Sequence, residues 1–146
     1  MRIELLEDPT LEETEVTIRC AKADDQVLRL LALLRVSDRK LTGLKDGETF
    51  LLNAGDILYI DTVDQHTFLY AAKEVYETPL RLYELLERLE PMDFFRAGKS
   101  SIINFRQIQS LRPDFGGRMR CTMNNGEVLF ISRQYVPGVR ARLGLT

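Results

Sequence analysis

FFRAGKSSIINFRQI, residues 94–108, decides how the chain is read. Its segment SIIN (101–104) holds a buried apolar pair, and the polar loop Gly98-Lys99-Ser100 separates that pair from a strand through Phe94 and Arg96. Short apolar runs bounded by turn residues read as strands. Phe94, Ile102, Ile103, Ile108 and Leu111 are therefore core candidates. Downstream, 109–112 and 118–123 read as strands around the loop 113–117, and Asn124-Asn125-Gly126 is a tight-turn signal from which 127–131 returns. Ser132 can cap a last helix through Leu143, with Pro137 near its first turns, where a missing N–H costs least.

Upstream, Thr78-Pro79 predicts a helix start, a cap followed by proline. The helix runs through PLRLYELLERLE with Leu82, Leu85, Leu86 and Leu89 inward, and Pro91 ends it. Before it, Asp46-Gly47 joins strands at 40–45 and 48–52 into a hairpin. Further strands are expected at 56–63, 67–71 and 74–77, the first two joined by the turn Asp64-Gln65-His66. TEVTIRC (14–20) alternates, with Val16, Ile18 and Cys20 on one side, and predicts a half-buried strand that residues 1–6 pair with. Asp24 or Asp25 then caps a helix through about Arg35, with Val27, Leu28, Leu31 and Leu34 at helical spacing and Leu30 and Leu33 widening the stripe. The fold class expected is mainly β (α+β), preceded by a short β-β-α extension.

The 146 residues suit one domain with an appendage. With 45% hydrophobic and 29% charged residues the chain can bury a core. No apolar stretch approaches the roughly 20 residues of a membrane helix. The acidic N-terminus MRIELLEDPT lacks the apolar run of a signal peptide, so a cytoplasmic protein is expected. Cys20 and Cys121 stand alone and there is one histidine, so no metal and no cofactor is expected, and both thiols read as small core residues.

The net charge of -2 conceals an asymmetry: residues 51–95 carry -6 and residues 96–146 carry +7. Eight of the nine cations of the last block are arginines, the residue suited to bidentate phosphate or guanine contacts. A basic block in an acidic chain points to a polyanion. The bland alternative is pairing with the acids of 51–95. Nothing resembles GxSxG, HExxH or a phosphate loop, and Ser100-Ser101 beside Lys99 has neither a second lysine nor an oxyanion loop. No enzyme is expected.

From about residue 40 to 143 the chain resembles the LytTR family of bacterial DNA-binding domains. The resemblance rests on DILYID (56–61), YETPLRLYELLERL (76–89) followed by FFRAGKSSIINFRQI, NNGEVLFISRQYV (124–136), and the intervals between them. The family pattern is met by Phe94, Arg96, Lys99, Ser100, Ile103, Asn104, Asn125, Gly126, Ile131, Ser132 and Arg133. Gly98 departs from it, standing where many members have histidine. The resemblance implies elongated small antiparallel β-sheets with a flanking helix, and loops rather than a recognition helix in successive major grooves. It implies 39–146 as the DNA-binding domain and residues 1–38 as a strand-helix extension, for which the six apolar residues of the 24–35 helix, more than one narrow stripe needs, suggest dimerisation or partner docking. The roughly 40 preceding residues are too few for a receiver domain of about a hundred, so the stand-alone type is expected. Members of that type are often restrained by a small multi-pass membrane protein.

The partners expected are double-stranded DNA, a second copy as homodimer, and such a membrane protein. The other reading is a protein-interaction module that titrates a partner regulator or membrane protein. The DNA-binding candidates are His66, Arg96, Lys99, Ser100, Asn104, Arg106, Arg118, Arg133 and Gln134. The resemblance assigns base reading to the loops of His66 and Lys99, and the start of the last helix suits a phosphate at Arg133 and Gln134. Each has a plainer alternative: His66 an exposed loop residue, Arg96 a salt bridge, Asn104 a buried tie between a strand end and the backbone.

Overall fold

The computed structural model describes residues 1–144. Its helices are α1 (Asp25–Ser37), α2 (Leu82–Leu89) and α3 (Val136–Arg142). Its strands are β1 (Lys40–Lys45), β2 (Glu48–Asn53), β3 (Tyr59–Val63), β4 (His66–Tyr70), β5 (Val75–Thr78), β6 (Phe94–Gly98), β7 (Ser101–Asn104), β8 (Ile108–Pro113), β9 (Met119–Met123) and β10 (Val128–Ile131). A seven-stranded antiparallel sheet runs β2-β1-β5-β4-β3-β7-β6, and a three-stranded one runs β10-β9-β8.

Side chains of a strand alternate between faces, and here that alternation builds two cores. Phe94, Ile102, Ile60 and Leu69 join Leu85 and Leu89 of α2 and Ala32 and Val36 of α1 in the first. Phe95, Ala97 and Ile103 join Met119, Cys121, Met123 and Ile131 of the small sheet and Val139 of α3 in the second. The doublets Phe94-Phe95 and Ile102-Ile103 thus send one side chain into each core. This is why β6 and β7 lack the polar alternation of a one-sided strand.

The hairpin turn at Asp46-Gly47 has both residues at positive φ (51° and 76°), as a two-residue turn matched to strand twist requires. Asp64-Gln65 adopts the same conformation without glycine (50° and 67°). Asp24 caps α1 as expected, its carboxylate accepting the Val27 N–H at 3.0 Å.

Four expectations are corrected. Residues 1–6 and 14–20 are not strands, and no strand precedes Lys40 among the described residues. Neither finds a sheet edge within its own chain, and a lone pair of strands is marginal in water. Cys20 is accordingly exposed, whereas Cys121 is buried. The inward face of α1 is Ala32 and Val36, while Leu28, Leu31 and Leu34 are exposed. Finally, α2 starts at Leu82, not after Thr78-Pro79, because Thr78 is taken by the β4–β5 ladder opposite Thr67. Glu84 caps it instead, accepting the Arg81 N–H at 3.0 Å and the Arg29 guanidinium at 2.7 Å.

Candidate nucleic-acid interface

Hairpin geometry decides which polar side chains share a surface. In the large sheet β7 pairs with β3, with Asp61 opposite Ser101, and the Thr62 N–H donates to the Ser100 carbonyl at 2.9 Å. The β3–β4 turn at Asp64-Gln65, with His66 just beyond it, and the β6–β7 turn at Lys99-Ser100 therefore end side by side. A shallow cleft of about 380 Å³ lies between them, lined by Thr62, Gln65, Arg81, Tyr83, Lys99 and Ser100. The Ser132 N–H donates to the Ala97 carbonyl at 2.8 Å and brings Arg133-Gln134 to the same end of β6. Gly117, in the β8–β9 loop, sits against Arg133: a Cβ there would lie 3.1 Å from Arg133 Cδ. His66, Lys99, Ser100, Arg133 and Gln134 are exposed, and they form with Arg118 one chain of neighbouring turns.

Charges on this surface differ in how far they are neutralised. His66 Nδ1 lies against the Glu77 carboxylate. Arg118 pairs with Asp114 at 2.5 Å and covers the Phe130 ring at 4.1 Å. That hydrogen bond holds the Asp114 carboxyl below its ordinary value. Lys99 makes no ion pair among the described residues.

Arg112 and Arg120 stand directly opposite in the β8–β9 ladder. Like charges in that register repel unless an anion lies nearby; Asp114 supplies one, and a phosphate would supply another. Both arginines belong to the +7 block, but their register across the ladder could not be read from spacing. Arg81 was also missed. Its place in the cleft depends on α2 beginning at Leu82, three residues later than the Thr78-Pro79 signal puts it. Phe115 at the tip of the β8–β9 loop is 89% exposed, an apolar side chain beside the arginines.

Three candidates have other places. Asn104 is buried: its amide donates to the Ile57 carbonyl at 2.9 Å and its oxygen accepts the Arg106 N–H at 3.1 Å. It ties two chain segments and does not belong to the surface. Arg106 follows the opposite end of β7 from Ser100, 3.5 Å from Asp93, so the turns do not gather it. Arg96 is a clamp: its Nε donates to the Gly98 carbonyl at 3.1 Å, its Nη2 to the Lys99 carbonyl at 2.7 Å, and its guanidinium lies 5.7 Å from the Tyr135 ring centre. With its hydrogen-bonding edge turned to its own loop, it shapes the Lys99 turn and joins it to the segment of Arg133.

No group of three or more His, Cys, Asp or Glu side chains among the described residues could hold a metal ion, and no helix there is long and apolar enough to cross a membrane.

The profile of the LytTr DNA-binding domain matches residues 47–144. The Escherichia coli (strain K12) transcriptional regulatory protein YpdB is 31% identical over 72 residues, 49% of this chain and 30% of that protein. The Staphylococcus aureus (strain MW2) transcriptional regulatory protein LytR is 28% identical over 140 residues, 92% of this chain and 56% of that protein. The chain thus spans little more than half the length of such curated relatives, or less. A solved LytTr DNA-binding domain of a Bacillus cereus protein described as a methyl-accepting/DNA response regulator shares the fold. Its TM-score is 0.69 at 23% identity, covering 73% of this chain and 98% of that one.

Proposed function

The chain belongs to the LytTr DNA-binding domain family, and on that footing we propose that it is a sequence-specific, double-stranded-DNA-binding transcription regulator. The observation that carries the reading is the gathering of the His66, Lys99, Arg118 and Arg133-Gln134 turns on one surface. They come from separate stretches of chain, and only the sheet pairing brings them together. A helix reader has no support here. Helix α2 turns its apolar face into the sheet, α1 is anchored there by Ala32 and Val36 and exposes leucines beside them, and α3 is short, held by Val139 in the core and by Arg142, which pairs with Asp93 at 2.6 Å.

In this reading the turns enter the major groove. His66, Lys99 and the Arg133-Gln134 pair read base edges, while Arg81, Arg112, Arg118 and Arg120 hold phosphates and fix the register. Arg96 positions the Lys99 turn and touches no base. The protein acts in the cytoplasm on repeated sites as a homodimer, and a small membrane protein restrains it. That the relatives are named transcriptional regulatory proteins supports a role in transcription.

The test is to select duplexes from a random pool and measure affinity by fluorescence anisotropy at several salt concentrations. Neutralising about six phosphates gives log K against log salt a slope of roughly -5. Failure to enrich any sequence, with a flat salt dependence, would refute the reading.

A further inference from the structure

The chain carries two unsatisfied surfaces that complement each other. One is the arm before α1. Val16 is 64% exposed, and TEVTIRC alternates as a strand does, yet it pairs with nothing among the described residues. Within residues 12–20 the arm holds three acids, Glu12, Glu13 and Glu15, against Arg19 alone.

The other surface is a cleft of about 730 Å³ between α1, the β1–β2 hairpin and the chain entering α2. Its apolar wall includes Leu28, Leu31 and Leu51, exposed by 42%, 38% and 55%. Its arginines are Arg29, Arg35 and Arg81, of which Arg29 is paired with Glu84 while the other two make no ion pair among the described residues. They outnumber its acids, Asp25 and Glu77. Beside it runs β2, an outer strand of the large sheet. An outer strand presents a row of free backbone donors and acceptors and is a template for another strand.

We propose that residues 12–20 of one copy add to the β2 edge of a second copy, with Val16 and Ile18 entering the cleft beside Leu31 and Leu51. Strand alternation matches the cleft: Glu12, Val16 and Ile18 share the face turned to it, so Glu12 reaches the rim near Arg35, while Glu13 and Glu15 face away into solvent. A two-fold axis makes the exchange reciprocal, since each copy gives one arm and receives one, and the assembly closes as a dimer.

The geometry at the base of the arm favours a second copy over the chain's own cleft. Asp24 accepts the Val27 N–H at 3.0 Å and donates its own N–H to the Lys22 carbonyl at 3.0 Å. Only residues 21–24 separate the arm from α1, whose Asp25 already lines the cleft, so lying on its own cleft requires the chain to double back within four residues, while docking in trans requires no such turn. The dimer formed here does not depend on the DNA-binding reading, and its test uses no DNA.

Sedimentation velocity of the full chain between 1 and about 100 µM measures it, with Val16→Asp in the arm and Leu51→Asp at the edge. Both positions are exposed in the single chain, and circular dichroism checks that each variant keeps its fold. The expected result is a dimer for the native chain. Each variant alone raises the dimer dissociation constant about a hundredfold, because two equivalent contacts are each weakened about tenfold. An equimolar mixture of the two variants recovers a weaker heterodimer, since one intact arm meets one intact cleft. A monomeric native chain overturns the proposal, as does either variant that dimerises like the native chain. A mixture that stays monomeric overturns it too, because the two surfaces are then not partners.

Discussion

Arg96→Met separates a clamp from a DNA contact. The methionine keeps part of the aliphatic stem and removes two hydrogen bonds, 3.1 Å to the Gly98 carbonyl and 2.7 Å to the Lys99 carbonyl, together with the approach to Tyr135. A hydrogen bond from a charged donor contributes about 1.5 kcal/mol or more. The outer one is discounted for its exposure, and a cation over a solvent-facing ring adds about 0.5 kcal/mol. The expected loss is about 2.5 kcal/mol, a fall in Tm of about 8 °C for a chain of this size. The Lys99 turn then samples other conformations, and ordering it again on DNA costs about 1 kcal/mol, so preference for the selected duplex over random DNA falls about fivefold. The slope of log K against log salt stays as it was, because the guanidinium faces its own loop. Lys99→Ala keeps stability and, as the loss of a base contact, lowers the preference for the selected duplex by about 1 kcal/mol or more. Differential scanning calorimetry and anisotropy titrations read all of these. If Arg96→Met keeps its Tm, weakens both DNAs equally and lowers the slope by one phosphate, then Arg96 is a phosphate ligand and the reasoning fails.

Asn104→Ala leaves the Ile57 carbonyl and the Arg106 N–H without their partner and lowers stability by about 3 kcal/mol, with unchanged DNA discrimination well below its Tm; retained thermal stability counts against the tie. In the folded protein one thiol, Cys20, reacts with Ellman's reagent at pH 8, and the second reacts only in denaturant, because burial pushes the Cys121 thiol up to about 11; rapid reaction of both argues that the small sheet opens. Burial also raises the Asp61 carboxyl above its ordinary 3.8, against an opposing hydrogen bond from Tyr70. A raised carboxyl stabilises the fold at low pH and loses that contribution as pH rises through the folded value. Asp61→Asn therefore raises Tm at pH 7, with the gain fading towards pH 3; a gain independent of pH assigns it to something other than the charge.

The strands with turn chemistry were legible. Asp46-Gly47 and Asn124-Asn125-Gly126 mark turns by the residues they require, and the hairpins at β1–β2 and β9–β10 follow. The start of α2 was misread for a reason particular to Thr78. A threonine before proline suits a helix cap and a strand end equally, and only the ladder with Thr67 decides between them. The face of α1 was misread because six of its residues are leucine or valine between 27 and 34. With so wide a stripe, periodicity cannot say which part turns inward. Small Ala32 and terminal Val36 do so because α1 lies close against β1 and α2.

The candidate surface was legible as a list and not as an arrangement. Charge counting located the cations in the last third, but an arginine that binds DNA, one that holds a loop and one that ties two strands together contribute equally to a count. Their roles separate only by what each guanidinium faces: Arg96 its own turn, Arg142 the Asp93 carboxylate, Arg112 a second arginine. The distinction has an energetic consequence. Arg96 and Arg142 are neutralised or hydrogen-bonded within the fold, so their loss destabilises the protein. Arg112 and Arg120 stand opposite across a ladder, their repulsion only partly offset by Asp114, and on the proposed DNA-binding reading replacing one with glutamine relieves that repulsion while removing a phosphate contact. Stability and DNA affinity therefore move in opposite directions at β8–β9 and in the same direction at Arg96. That difference in sign marks an interface residue within a chain whose cations all look alike in sequence.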